Sequence, residues 1–435
     1  MTSAVPLASD FPAYSDADWR AAVARARRTP DAEPAPADGG SLPLFQRRRD
    51  AAPLAGRAGG PRWQIVTRID ATSAREATAL LQDEMAGGAT GAELAFADSV
   101  HPLQGRIPCN EAAAIARAIG PLLPLNFTLR IDSGDPTVLA AFSSLAGRDG
   151  FSVNLARDPV AAMALGDSDT REAIAAPGAA GVAATADGRI WHAAGANDAQ
   201  ELGIALATLV EMLSQRNDAA RTGLTLVADS DQFATIAKFR AARLLTLRLA
   251  EVAGVGMATP ALHAETAWRS MSRRESETNV LRAVSAAFGA AVGGADSITV
   301  LPFDALDGSS ADGRRLARNT SIIMAEEAGL ADVTDPGAGS GAVETLTERL
   351  AEAAWHEFQQ IEAAGGIIAA IGDGRLLSAI AAVRDARLAA VIEGRTTMIG
   401  VNAFSEHDTP ARIAAKAPAE SGNRLRFTRL AEAFE

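Results

Sequence analysis

The sequence predicts an α/β chain built on a (β/α)8 TIM barrel, with an extended arm at the N-terminus and a helical extension at the C-terminus. Three observations carry this. From Arg62 onward, short runs of β-type residues alternate with longer segments of helical period, the pattern of parallel βα units. Eight such strands and eight such helices fit before residue 330, the number a closed barrel needs. The first strand is followed by Arg68-Ile69-Asp70-Ala71, without the glycines that an open dinucleotide-binding sheet carries there.

Residues 1–61 read as an arm. Phe11 to Arg28 has the spacing of a short helix capped by Ser15 or Asp16, with Trp19 and Val23 on one stripe. Beyond Thr29 the composition turns to Pro, Gly, Ala and Asp, and Leu42, Leu44 and Phe45 form an apolar island with nothing local to pack on. Such an arm lies on its own domain or on a partner, with a disordered tail as the alternative. Residues 62–330 supply the barrel. Its predicted strands are Trp63–Ile69, Ala92–Ala97, Phe127–Ile131, Phe151–Leu155, Arg189–Ala193, Leu224–Ala228, Met257–His263 and Ile298–Phe303. Residues 331–404 read as a helical extension packed on the barrel, opening at the Asp335-Pro336-Gly337 turn, and residues 405–435 as a C-terminal tail.

Composition narrows the function. The hydrophobic share of 48% fits a globular chain with a full core, and no run of about eighteen apolar residues suggests a membrane span. The first residues lack the basic start and apolar core of a secretory signal. Cys109 is the single cysteine, which excludes an intrachain disulfide and fits a reducing, cytoplasmic setting. A net charge of −12 argues against nucleic acid as a partner.

Several segments, in order, carry a resemblance. They include WQIVTRID from Trp63, EMAGGATGAELAFADS from Glu84, WHAAGANDAQEL from Trp191 and LHAETAWRSMSRRESETNVLR from Leu262. LARNT, EEAGL, DPGAGS and IEAAGG then follow between Leu316 and Gly366. Over some three hundred residues this order resembles the adenosylcobalamin-dependent acyl-CoA mutases, and among them the small subunits of methylmalonyl-CoA mutases. The resemblance implies a barrel fold, a place in the isomerisation of succinyl-CoA and methylmalonyl-CoA, and a catalytic large subunit as heterodimer partner. Isobutyryl- or ethylmalonyl-type complexes stay open as relatives. It also implies that the arm clasps the other subunit, making Phe11, Trp19, Leu42, Leu44 and Phe45 contact candidates.

The same resemblance implies that this chain has no catalytic residues and binds no cofactor or metal, adenosylcobalamin residing in the partner. Catalytic family members carry a cobalamin domain with a cobalt-ligating histidine, and only about thirty residues follow Phe404 here, with His407 lacking the expected glycine. Those members end the fifth strand in Gly-Tyr-His, where this chain, aligned on Gln200-Glu201-Leu202, has Arg189 and Ile190. Ile190, Trp191, His192 and His263 therefore form a degenerate barrel mouth, which bulky groups such as Trp191 and Phe303 are expected to fill.

Two other readings remain open from the residues. An acyl-CoA-binding barrel could work as a split mutase, with cobalamin on a separate protein; Arg314, Arg315 and Arg318 could then grip a phosphate, or else form a salt-bridged helix face. A metal-dependent barrel hydrolase could draw on His101, His192 and His263 with Asp132 and Glu265, although no His-x-His or His-Glu-x-x-His spacing occurs. A Schiff-base aldolase would need a lysine on a barrel strand, whereas Lys238 falls on a predicted helix and Lys416 in the tail.

Overall fold

A computed structural model of the chain describes residues 12, 14–26, 46–54, 60, 62–103, 105–146, 152–155, 158–166, 182–215, 222–253, 260–406 and 425–435. Eight parallel strands close on themselves in sequence order: β1 (Gln64–Ile69), β2 (Gly91–Ala95), β3 (Thr128–Asp132), β4 (Ser152–Leu155), β5 (Val182–Asp187), β6 (Thr222–Ala228), β7 (Ala261–Thr266) and β8 (Ser297–Thr299). β8 pairs back onto β1, with Ile298 opposite Ile65, so no strand edge is left open. The predicted TIM barrel is the observed fold.

The helices follow from capping and from the apolar stripe each turns to the strands. After α1 (Asp16–Ala26), they are α2 (Ala74–Ala86), α3 (Ala112–Ile119), α4 (Pro136–Ala146), α5 (Pro159–Ala164), α6 (Gly188–Ala194), α7 (Asp198–Gln215), α8 (Gln232–Ala253), α9 (Thr278–Gly293) and α10 (Ala311–Glu326). Ser15 and Asp18 cap α1 reciprocally: the Ser15 Oγ accepts from the Asp18 N–H (3.2 Å), and Asp18 Oδ2 accepts from the Ser15 N–H (2.9 Å). Three further helices, α11 (Gly341–Ala363), α12 (Ile367–Gly372) and α13 (Arg375–Ile392), follow the barrel, and α11 lies against α7 and α8. None of the described helices is long and apolar enough to cross a membrane.

One predicted strand is wrong. Arg189–Ala193 lies in α6, and the fifth strand is the preceding Val182–Asp187. The small-residue segment VAATAD hides its strand character, because alanine is depleted in strands and gives little periodic signal. Asp187 then caps the helix by accepting the Arg189 N–H (2.9 Å), and Gly195, at φ +116°, ends it in the left-handed conformation. β8 is also shorter than expected. The Leu301 N–H is taken by the Thr266 hydroxyl (2.9 Å), and Pro302 has no N–H to continue the ladder.

The arm and the end of the chain both dock on this body. Residues 46–54 run along the start of α11: the Arg49 N–H donates to the Gly339 carbonyl (3.0 Å), and its guanidinium reaches Glu348 (2.6 Å) and Thr345 (2.9 Å). A Cβ at Gly341 would meet the Arg47 carbonyl at 1.9 Å, so glycine lets the arm lie flush with the helix. Residues 425–435 return to the C-terminal rim of the barrel, where Thr428 donates to the Ala193 carbonyl (3.0 Å) and Leu430 to that of Arg269 (3.0 Å). Beneath the arm, buried Arg240 ties α8 to the helical extension by pairing with Asp335 and with Glu344 (2.7 Å). Removing one partner of such a buried pair leaves charge uncompensated. Arg240→Ala should therefore cost about 3–5 kcal/mol of unfolding free energy in urea titration, with early loss of amide protection in α11.

Candidate functional site

Each strand alternates between two faces, and here the usual polarity of the inner one is reversed. Leu94, Leu129, Ile131, Leu224, Leu262 and Ile298 point outward and join the cores beneath the helices. The alternate positions, Arg68, Glu93, Arg130, Thr225, His263 and Thr299, point inward and are buried. Barrel interiors are ordinarily filled by branched apolar side chains; this one is filled by charges that must neutralise one another.

Glu93 is the centre. Strand register sets Arg68 beside it on β1 and Arg130 beside it on β3. Arg68 reaches Glu93 Oε1 (3.3 Å), and Arg130 donates through Nε to Oε2 (3.0 Å). A third guanidinium, Arg189, enters from the first turn of α6 and bridges Glu93 Oε1 (2.9 Å) to Glu265 Oε2 on β7 (2.9 Å). β2 and β7 are not neighbours, so this bridge spans the inside of the barrel. Arg130 makes a second crossing, to the Thr225 hydroxyl on β6 (2.7 Å). Asp187 holds Arg189 by both carboxylate oxygens, Oδ1 accepting from Nε (3.0 Å) and Oδ2 from Nη2 (2.9 Å).

The electrostatics follow. Burial alone would raise the Glu93 carboxyl, but Arg189, Arg130 and Arg68 together hold it well below the usual carboxylate range. Burial likewise opposes ionisation of Glu265, and His101, at 2.6 Å, and Arg189 overcome it, bringing its pKa to about 2. Asp132 goes the other way. Burial and the nearby charge of Glu93 raise it, and the Ser99 hydroxyl donates to it. His263 sits in this lattice between the Ser297 hydroxyl (2.7 Å) and the Thr299 hydroxyl (3.3 Å), and burial beside Arg130 keeps its imidazole neutral.

The four residues expected at a degenerate mouth do not gather there. Ile190 and Trp191 lie on α6 and are buried in the outer core, because residues 188–194 are a helix and not a strand end. His192, also on α6, lies 3.3 Å from Asp229, beyond β6, and burial followed by the Arg269 charge lowers its pKa to about 3. His263 alone faces the interior, midway along β7. Nor do Trp191 and Phe303 fill the barrel; arginine and glutamate do, while Phe303 is half-buried past β8. Of the arm candidates, Trp19 is exposed on α1, and Phe11, Leu42, Leu44 and Phe45 lie outside the described residues.

The other readings meet the geometry as follows. Of the possible metal ligands, His101 and Glu265 do meet, but Arg68 lies 3.8 Å from Asp132, His263 is held by the Ser297 and Thr299 hydroxyls, and His192 is on α6. Among the described residues no group of three His, Cys, Asp or Glu side chains is arranged to hold a metal ion. Arg318 (2.7 Å) and Arg314 (3.6 Å) hold Glu84 of α2, and Arg315 pairs with Asp312 (3.0 Å), the salt-bridged helix face. Lys238 is buried between Asp198 (2.7 Å) and Glu201 (2.8 Å). The Glu93-centred lattice was missed in the sequence. Its signal is one charged residue at matching positions in three consecutive strands, TRID, GAELA and LRID.

Glu93→Gln should lower unfolding free energy by about 3–5 kcal/mol, since three arginines lose their shared counter-charge. Combining it with Arg130→Gln should cost less than the two single changes added, as a denaturation double-mutant cycle would measure. His192 gives a pH signature. Neutral in the fold and protonated below about pH 6.5 once unfolded, it contributes stability that is full above that pH and is lost as pH falls toward about 3. His192→Gln should therefore lose less stability than the parent chain between about pH 6.5 and 4 in urea melts.

Comparison with known proteins bears on what this barrel is. The family model described as methylmalonyl-CoA mutase matches residues 147–433. The methylmalonyl-CoA mutase small subunit of Streptomyces virginiae is 44% identical over 263 residues, covering 58% of this chain and 43% of that protein. That of Propionibacterium freudenreichii subsp. shermanii is 39% identical over 314 residues, covering 65% and 48%. The chain thus spans less than half the length of these curated relatives. A dihydropteroate synthase from Xanthomonas albilineans shares 17% identity at a TM-score of 0.38 over 61% of this chain and 93% of that one, too slight a likeness to argue from. The family model covers well over half of the sequence, including five of the eight strands and the helical extension, and on that match the chain belongs to the methylmalonyl-CoA mutase family.

Proposed function

We propose that this chain is a non-catalytic small subunit of an adenosylcobalamin-dependent methylmalonyl-CoA mutase, a scaffold for a catalytic large subunit that interconverts succinyl-CoA and methylmalonyl-CoA. One observation carries the reading: the barrel interior is cross-linked by Arg68, Arg130 and Arg189 through Glu93 and Glu265. A thioester arm threaded along the axis would have to part these pairs in a dry interior, at about 3–5 kcal/mol for each charge left unpaired. Small-subunit relatives at 39–44% identity support the same assignment.

Adenosylcobalamin belongs to the partner in this reading. Its chemistry is homolysis of a cobalt–carbon bond, and cobalt takes an accessible imidazole in this family. The described histidines of this chain do not fit that role. His101, His192 and His263 are buried, and His356 is on the outer surface of α11 against Gln360 (2.7 Å). What this chain contributes is a body whose interior arginines each face a carboxylate, presented through its surface and its arm.

The test is native mass spectrometry of the full chain with a catalytic large subunit, with corrinoid content assigned per chain. A one-to-one complex whose corrinoid stays on the large subunit is expected, and Thr225→Val inside this chain's barrel should leave turnover within about twofold. Turnover by this chain supplied only with a separate cobalamin-bearing protein would favour the split-enzyme arrangement and overturn the proposal. Failure of the two subunits to associate would overturn it as well.

A further inference from the structure

The segment that follows β2 crosses the C-terminal mouth of the barrel. Its ends are pinched together: the Ala97 N–H donates to the Ile107 carbonyl (2.8 Å), and the Ile107 N–H to that of Ala95 (3.3 Å). A Cβ at Gly105 would meet the Phe96 carbonyl oxygen at 1.9 Å, so glycine lets the two sides of this neck touch. At its base Asp98 is fixed to the following βα unit, accepting from the Ser133 hydroxyl (2.7 Å) and the Gly134 N–H (2.7 Å). A loop closed at the base in this way is free to move without disturbing the strand before it or the helix after it.

Residues 99–103 reach out from that neck in two directions. The Ser99 hydroxyl donates to Asp132 Oδ2 at the end of β3. His101 Nδ1 accepts the Leu103 N–H (3.1 Å), which leaves the ring proton on Nε2 to donate to Glu265 Oε1 on β7 (2.6 Å). β1 and β8 lie between β2 and β7 in the sheet, so this bond spans the mouth. Leu103 then packs onto Met271, Leu301 and Ala305, beyond the ends of β7 and β8. Side chains alone hold this stretch: among the described residues, no backbone hydrogen bond ties residues 100–103 to a strand or helix. Glu265 and Asp132 are buried beneath it. Arg68, 3.8 Å from Asp132 Oδ2, has a buried Nη2 with no acceptor among the described residues.

We propose that residues 99–103 are a lid over the C-terminal mouth, latched by His101 on Glu265 and by Ser99 on Asp132. It opens as one unit about the neck, admitting water to Asp132, Glu265 and Arg68 while the barrel stays folded. A segment held by a few side chains, with no backbone ties, opens at lower free energy than the core around it. β2 does not follow, because its ladders to β1 and β3 continue on both sides. Opening supplies the Nη2 of Arg68 with the acceptor that the closed state denies it. The lid occupies the face where the βα loops of barrels govern access, and it stands apart from the subunit role proposed above.

Hydrogen exchange followed by NMR on the full chain tests it. In the unsubstituted chain the Leu103 amide and the Arg68 Nε–H should exchange at rates that low urea leaves unchanged, while the Leu94 amide of β2 and the Ile115 amide of α3 exchange more slowly and respond to urea. His101→Ala, which removes the latch, and Leu103→Ala, which removes the apolar anchor, should each speed Arg68 Nε–H exchange at least about tenfold. Leu94 and Ile115 should stay within about twofold in both variants. Exchange of Leu103 and Arg68 at the rate and urea dependence of Leu94 overturns the proposal, since the mouth would then open only with the barrel. Unchanged Arg68 exchange in the two folded variants, or acceleration shared equally by Leu94 and Ile115, overturns it also.

Discussion

The convergence of three guanidinium groups on the Glu93 carboxylate organises this barrel. Arg68 and Arg130 arrive by strand register, so pairing β1, β2 and β3 correctly is what assembles their half of the site. Arg189 arrives by a helix cap, and its second arm fixes Glu265 on the far side of the barrel. Buried charges are costly unless paired, and the geometry here pairs each arginine with at least one carboxylate. The same network prescribes one register: a slip by a single residue would turn every charge into the outer core.

That arrangement links fold to function in one step. A barrel with apolar residues on both strand faces would be closed by packing, and one with small polar residues inside could admit a chain-like ligand. This one is closed by ion pairs that cross it, each interior arginine facing at least one carboxylate. Its interior is therefore suited to holding a shape. The outer core does the ordinary work of stability, with Trp191 and Phe239 fully buried among the helices.

The helical extension and the C-terminal segment repeat the device on the outside. Arg240 joins α8 to the Asp335 turn and α11, and Arg429 grips both carboxylate oxygens of Glu435 (2.8 and 2.6 Å) as residues 425–435 cross the rim. Trp268 meets Phe427 edge-on beneath them, ring centroids 6.3 Å apart. Planar, always-charged arginine is suited to such clips, because its fork fixes direction as well as charge. The composition supplies it: nearly all the basic residues here are arginine.

The alternation of apolar runs and helical periods was enough to give the number of βα units and to place seven of the eight strands, since hydrophobic period is a local property. The ordered segments also pointed to the family. The fifth strand escaped because VAATAD has little side chain with which to announce a strand, and the charged RIWHA stretch beyond it looked more like one. What filled the interior was decided only by closure of the barrel. Arg68, Glu93, Arg189 and Glu265 lie far apart in the chain, and nothing local says that β2 and β7 face each other across an axis. Read singly, each is a charged residue in an apolar run; the energy that justifies burying it comes from partners that only the tertiary structure brings within reach.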